Sequence, residues 1–383
     1  YVVNHSVTHA SMDVLTVGRF TWQSFFQLAF LYCITAVPFY YGGMVVSLAL
    51  YHLRRDVARL YFFDLVGASL ACLVLDPVLR LLGAPSAVIL VALLAGVAAL
   101  VFGAELERWR VERRSVWAVA ALVGLLALNL AFDVARVGSF KEVRQEHLVF
   151  TKWNALSRVE VQRIGQGPPF LTIDGQARTN IHTLKREGPL QVHRSISALV
   201  YVLERDDPSA LIIGPGGGVD VVSAMRNGVR KLTLAEINPI ILNDVMLGEF
   251  RDYSGNLYGQ PGVRPRLAEG RHFVRSSEQR FDVIQATLVD TWAATAAGAF
   301  ALTENHLYTV EAFEDYLAHL TPRGVVTMSR WVRIKGMEFV RLCSLARAAL
   351  ERRGVGRPGL HAFAAAKGKL GTPLVKRTPS TAR

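Results

Sequence analysis

"ALIIGPGGGVDVVSAMRNG", Ala210 to Gly228, is the stretch on which the fold turns. An apolar run ends in a cluster of glycines, and a helical pattern starts at once behind it. Strand, glycine turn and helix N-terminus in that order open a doubly wound sheet, at the point where such sheets receive a nucleotide or nucleoside. The glycines are Gly214, Gly216, Gly217 and Gly218. A dinucleotide fingerprint would need glycine or alanine at 219, where Val219 stands, and a phosphate-binding P-loop would need Lys followed by Ser or Thr. The spacing that fits is G-x-G-x-G at Gly214, Gly216 and Gly218. It lets the backbone pass beneath a nucleoside with no pyrophosphate to cradle. A Cβ there would push the ligand away, and some of these positions call for positive φ.

Outward from the loop, strand and helix signals alternate. Strands are predicted at 210–213, 231–235, 263–267, 281–286 and 325–329, with helical patterns at 309–320 and 338–353. This alternation predicts an α/β fold with a doubly wound, mostly parallel sheet, Rossmann-like and of the class I methyltransferase type. The second strand delivers Glu236, 18 residues after Gly218, where a carboxylate accepts hydrogen bonds from both ribose hydroxyls. Glu269 follows the third strand, in reach of an adenine amino group. Both acids also suit a plain role as solvated loop residues. The chain closes with a hairpin turning at Gly368–Gly371. Upstream, residues 141–190 alternate apolar and polar residues as a small β subdomain, with Asp174–Gly175 as a turn. Residues 191–383 form the nucleoside-binding transferase domain.

Residues 1–140 read differently. Hydrophobic residues make up 51% of the 383-residue chain, and mean hydropathy is +0.27. Both are high for a soluble protein and imply a membrane portion. Four α-helical transmembrane segments are predicted, at 25–51, 60–79, 87–104 and 116–132, each about the length a bilayer needs. Asp64 and Asp76 interrupt the second, as interfacial or boundary residues. Because the chain starts on Tyr1 and turns apolar soon after, it is read as lacking its natural N-terminus. Arginines 54, 55 and 59 crowd one loop and 108, 110, 113 and 114 another, which leaves topology open.

The net charge of +12 sits mostly after residue 140, on scattered basic residues without aromatic interleaving, so a membrane-adjacent solvated face is expected rather than nucleic acid. Cys33, Cys72 and Cys343 are too far apart for a metal-ligand spacing, and no metal is expected.

With these residues in view, the soluble half resembles the spermidine synthase (aminopropyltransferase) family, and more closely its membrane-fused bacterial type with N-terminal transmembrane helices. The resemblance runs over residues 147–377 and rests on "FLTIDGQART", "LIIGPGGGVDVV", "LTLAEINPII", "AEGRHFV", "FDVIQATLVDTW" and "ALTENHLYTVEAFEDYLAHLTPRGVV". It implies polyamine biosynthesis: transfer of an aminopropyl group from decarboxylated S-adenosylmethionine to an amine, releasing methylthioadenosine. The acceptor amine must lose a proton, so a carboxylate belongs beside it.

The family's acidic pair D-x-x-D falls on Thr287 and Asp290, so one carboxylate of two is present. An aspartate expected inside the glycine loop is replaced by Gly217, with Asp220 three positions on. The nucleoside pocket is thus intact while the polyamine pocket is thinned.

Asp290 is the catalytic candidate, with a turn role as the alternative. Trp292 either stacks on a base or substrate face or packs within its loop. Glu304 and Tyr308 either close the site over the substrate or cap the following helix. His193, His272 and His306 are read as structural rather than catalytic residues. The expected partners are a small-molecule amine and membrane lipid, with a homodimer left open. The expected location is the cell inner membrane with the soluble domain cytoplasmic, because the donor is made inside cells. Two alternatives stand beside this reading: an S-adenosylmethionine-dependent methyltransferase, or a non-catalytic nucleoside-sensing or transport protein.

Overall fold

The computed structural model describes residues 22–106, 113–135, 145–175, 177–184, 195–202, 207–289, 306–332 and 337–379. The chain divides into two compact units. One comprises the apolar helices together with Thr151–Arg158; the other comprises His147–Phe150 and the chain from Val159 onward.

In the first unit, helices α1 (Trp22–His52), α2 (Val57–Leu106) and α3 (Arg113–Phe132) are, among the described residues, the three long and apolar enough to cross a membrane. The second and third predicted segments both fall within α2, one on each side of a kink where two helices meet. The kink is at Gly83, whose φ of 73° and ψ of 164° lie in a region open to glycine alone. Each arm of α2 about Gly83 is long enough to cross on its own.

Helices α2 and α3 pack closely at Gly96, where a Cβ would come within 3.1 Å of Val119. They are also joined by a buried hydrogen bond, Asn129 Nδ2 donating to Ser86 Oγ at 2.8 Å. A bond of this kind registers two apolar helices that have little hydrophobic force between them in lipid. Asp76 accepts from Arg80 at 2.6 Å and from the Ala155 amide at 2.9 Å, so its charge is met within the unit.

After the apolar helices the chain forms two sheets. The smaller has the order β1 (Leu148–Trp153), β2 (Arg158–Gln162), β3 (Phe170–Ile173), β4 (Ala177–Asn180). Asp174 and Gly175, both at positive φ, turn β3 into β4. The larger sheet contains β5 (Ser209–Ile213), β6 (Lys231–Glu236), β7 (Val263–Leu267), β8 (Phe281–Thr287), β9 (Leu320–Trp331), β10 (Ala362–Lys367) and β11 (Leu370–Lys376). Its order is β10-β11-β9-β8-β5-β6-β7. Strands β5 to β9 pair in parallel, and β11 and β10 are antiparallel. This is the expected Rossmann-like, methyltransferase-type sheet.

The apolar run of β5 is continuous because both faces are covered. Ala210 and Ile212 join the core that contains Val221, Met246 and Tyr258. Leu211 and Ile213 join the core of Phe313, Tyr316 and Leu342. The first face is covered by α4 (Val219–Arg226) and a wide helical segment, Ile240–Glu249. After β7 comes α5 (Gly270–Ser276), and the second face is covered by α6 (Val310–Ala318) and α7 (Met337–Arg352). The chain leaves β5 towards β6 on one side while β8 lies on the other. That reversal, at the carboxyl ends of β5 and β8, is where sheets of this type open a crevice.

Candidate active site

The glycine loop fills that crevice. Gly214, Gly216 and Gly218 have φ of 63°, 51° and 88°. The first remains tied to the sheet, its amide donating to the Ala235 carbonyl at 2.9 Å, and the last caps α4. The expected positive φ is found at these three positions, and close packing adds a second reason for glycine. At Gly214 a Cβ would lie 2.8 Å from Val289, at Gly218 it would strike Leu257, and at Gly217 it would strike the Asn180 carbonyl. The protein's own neighbours demand glycine at Gly214, Gly217 and Gly218. Gly216 alone among these four has no protein atom nearer than 3.5 Å, the Thr179 methyl. Strand β4 thus lies against the loop, and the His182 amide donates to the Gly217 carbonyl at 2.8 Å. Burial pushes the His182 imidazole pKa down, which favours the neutral ring.

Glu236, at the end of β6, is buried. Its Oε2 accepts the Gly216 amide at 3.3 Å and its Oε1 the Asn238 amide at 2.9 Å. Burial raises its pKa, against the pull of those amides. Each carboxylate oxygen still has capacity for a further donor. From the core side, Tyr258 donates its hydroxyl to the Gly216 carbonyl at 2.8 Å. Burial first, and then the charges of Glu236 and Asp220, push its phenol pKa well up, so it stays a donor. Gly216 is therefore held at both its amide and its carbonyl.

A second buried polar group lies between α4 and β8. Asp220, in the first turn of α4, is 3% exposed. The hydroxyls of Thr287 and Ser197 hydrogen-bond its carboxyl, and desolvation outweighs them to raise its pKa to about 6. Its Oδ1 is buried with no partner among the described residues. Thr287 Oγ1 also accepts from Gln285 Nε2 at 3.3 Å, and that nitrogen donates to the Ser197 carbonyl at 3.2 Å. Gln285 Oε1 in turn accepts from Tyr201. Gln285 and Ser197 were missed in the sequence. The signal for Gln285 is a polar residue inside the otherwise apolar strand "FDVIQAT".

Glu269 is placed as the N-cap of α5, its carboxylate accepting from the Arg271 amide at 2.9 Å and the His272 amide at 2.6 Å. With Arg271, His272, Arg275, Ser276 and His306 it lines a cavity of about 460 Å³. Arg271 and Arg275 outnumber the single acid Glu269 in that lining, so it is a poor receptor for a protonated amine. Tyr308 donates to the Val289 carbonyl at 2.7 Å, and the Arg330 guanidinium stacks on its ring. It does not cap the following helix: Thr309 does, accepting the Ala312 amide at 3.1 Å. Leu288, between Thr287 and Val289, has a positive φ of 51°, an uncommon conformation for a bulky residue. Asp290, Trp292 and Glu304 lie outside the described residues.

No family model matches the sequence. The chain is 23% identical over 164 residues to the polyamine aminopropyltransferase of Korarchaeum cryptofilum (strain OPF8). That match covers 42% of this chain and 48% of the relative, so it spans about half the relative's length. The likeness is to aminopropyltransferases. Among solved structures, the chain resembles spermidine synthase in complex with the transition-state analogue AdoDATO (15% identity, TM-score 0.43, 62% of this chain and 74% of that one). It also resembles spermidine synthase from Thermotoga maritima (16%, TM-score 0.44, 62% and 75%). Ribosomal protein L11 methylase from Lactobacillus delbrueckii subsp. bulgaricus is a more distant likeness (14%, TM-score 0.32, 47% and 76%).

Proposed function

We propose that the chain is a membrane-tethered, spermidine synthase-like transferase that moves an aminopropyl group from decarboxylated S-adenosylmethionine to a small amine. The observation that carries this is the glycine loop at the strand-order reversal, with Glu236 fastened beneath Gly216. The aminopropyltransferase relative points the same way.

In this reading Gly214, Gly216 and Gly218 bring backbone close to the nucleoside. Glu236, already oriented by two amides, accepts the ribose hydroxyls, and its charge repels a 2′-phosphate. Glu269 stands at the adenine end, where its α5 cap fixes the carboxylate. Asp290 is assigned to orienting or deprotonating the acceptor, and Trp292 and Tyr308 to binding it. Tyr308 acts through its grip on the Val289 carbonyl.

The acceptor nitrogen loses a proton and attacks the carbon beside the sulfonium. A C–N bond forms, the C–S bond breaks, and the electron pair leaves on sulfur as neutral methylthioadenosine. Holding nitrogen and carbon in line is the larger part of the protein's task, because proximity alone removes much of the barrier. The apolar helices, largely uncovered by protein, act as the membrane tether, and a donor made inside cells sets the soluble unit on the cytoplasmic side.

The test is to incubate the full chain in detergent micelles with decarboxylated S-adenosylmethionine and a series of diamines. Amine-dependent release of methylthioadenosine supports the reading. Absence of release with every amine, or methyl transfer from S-adenosylmethionine instead, overturns it.

A further inference from the structure

Displacement at a carbon beside a sulfonium by an ammonium-bearing acceptor needs a carboxylate at the carboxyl ends of β5 and β8. At the end of β8 itself stands Thr287, which cannot serve. Two carboxylates are buried around the glycine loop. Glu236 is oriented by the Gly216 and Asn238 amides and, in the proposed reading, receives the ribose hydroxyls. Asp220 is the other, and it is directed at Thr287.

We infer that Asp220 is the carboxylate that receives the acceptor amine. One of its oxygens is fixed by the Thr287 and Ser197 hydroxyls, and its unpartnered Oδ1 is left for the ammonium. The inference rests on the aminopropyl-transfer reading and assigns the acid–base residue within it.

Three features support it. The carboxyl is almost wholly buried, and one of its oxygens has no partner among the described residues, a costly arrangement unless a ligand completes it. The supporting hydroxyls are themselves held: Gln285 reaches Thr287 and the Ser197 carbonyl with one amide nitrogen, and Ser195 Oγ lies 2.8 Å from Ser197 Oγ. Such a shell fixes the carboxyl's orientation. The basicity also matches the task, since burial lifts the pKa to about 6, closer to working pH than an ordinary aspartate. In the step, the acceptor ammonium passes one proton to Asp220 Oδ1, and the freed lone pair forms the C–N bond as the C–S bond breaks. Asp220 then releases the proton to water.

The experiment uses the full chain in detergent micelles, comparing wild type, Asp220→Asn, Asp220→Thr and the exchange Asp220→Thr with Thr287→Asp. Two readouts are taken: methylthioadenosine release from decarboxylated S-adenosylmethionine across a diamine series, and calorimetric binding of putrescine to the methylthioadenosine-loaded chain. The expected result is a fall in kcat of at least 100-fold for both single variants, with donor affinity within threefold of wild type. The exchange variant, which returns an acid to the end of β8, recovers at least tenfold. Putrescine binding weakens at least tenfold in Asp220→Asn. An active wild type whose Asp220→Asn variant keeps kcat and putrescine affinity within threefold overturns the inference while leaving the proposed function standing. A wild type that binds no donor overturns the proposed function, and the inference falls with it.

Discussion

The Tyr258 hydroxyl donates to the Gly216 carbonyl at 2.8 Å from a ring that is completely buried. With Glu236 on the amide of the same residue, the mid-point of the glycine loop is fixed from both ends of one peptide-bearing residue. Pre-set loops of this kind spare the ligand the entropic cost of ordering them.

Removing that hydroxyl loosens the loop. Tyr258→Phe leaves the Gly216 carbonyl without its partner and costs about 1–2 kcal/mol of stability. Thermal unfolding in detergent reads that loss, and calorimetry reads a three- to tenfold weaker donor affinity. Unchanged values in both would mean that the bond does not order the loop.

Gly218 is predicted to tolerate a side chain less well than Gly216. Its φ of 88° strains any side chain, and a Cβ meets Leu257 as well. Gly218→Ala therefore costs roughly 2–4 kcal/mol, combining overpacking with backbone strain. Adding Leu257→Ala relieves only the steric part, which the melting temperatures of single and double variants separate. Gly216→Ala, with 3.5 Å of clearance, loses less stability than Gly218→Ala, while donor affinity falls at least tenfold.

Asp220 has a pKa of about 6 against an ordinary 3.8. Between those values the folded chain holds a proton that the unfolded chain releases, so stability falls as pH rises through that window and stays lower above it. The difference corresponds to roughly 3 kcal/mol. Asp220→Asn, which keeps the hydroxyl contacts without the charge, is therefore more stable than wild type at pH 7.5 by up to about 3 kcal/mol. The gap closes towards pH 4. Melting temperatures at pH 7.5, 5.5 and 4 check both the sign and the window. Glu236, also raised by burial, moves in the same direction in both proteins and cancels from the comparison.

Tyr308→Phe frees the Val289 carbonyl at the start of the segment that carries Asp290. Because Tyr308 touches the loop rather than the glycine turn, kcat is expected to fall five- to twentyfold with donor affinity within twofold. A change in donor affinity instead would place Tyr308 at the nucleoside.

Much of this architecture was legible in the sequence because both faces of the sheet are buried. The run at 210–213 becomes β5 at Ser209–Ile213, and 263–267 becomes β7 residue for residue. Gly368 turns the closing hairpin at φ 61°. What was not legible depends on partners distant in sequence. Asp220 has the pattern of an ordinary acid in a helix's first turn; its burial arises only when Thr287 and Ser197 fold against it. Glu269 has the signature of a site acid, but its side chain caps α5, a position that more often takes Ser, Thr, Asp or Asn.

The most direct measurement is calorimetric titration of the full chain in micelles with decarboxylated S-adenosylmethionine, S-adenosylmethionine and methylthioadenosine, with Glu236→Ala as the pocket control. The predicted result is tightest binding of the decarboxylated donor, at least tenfold over S-adenosylmethionine, weakened at least tenfold in Glu236→Ala. Tighter binding of the carboxylated form would contradict aminopropyl transfer, and binding of none of the three by the folded chain would contradict the nucleoside site itself.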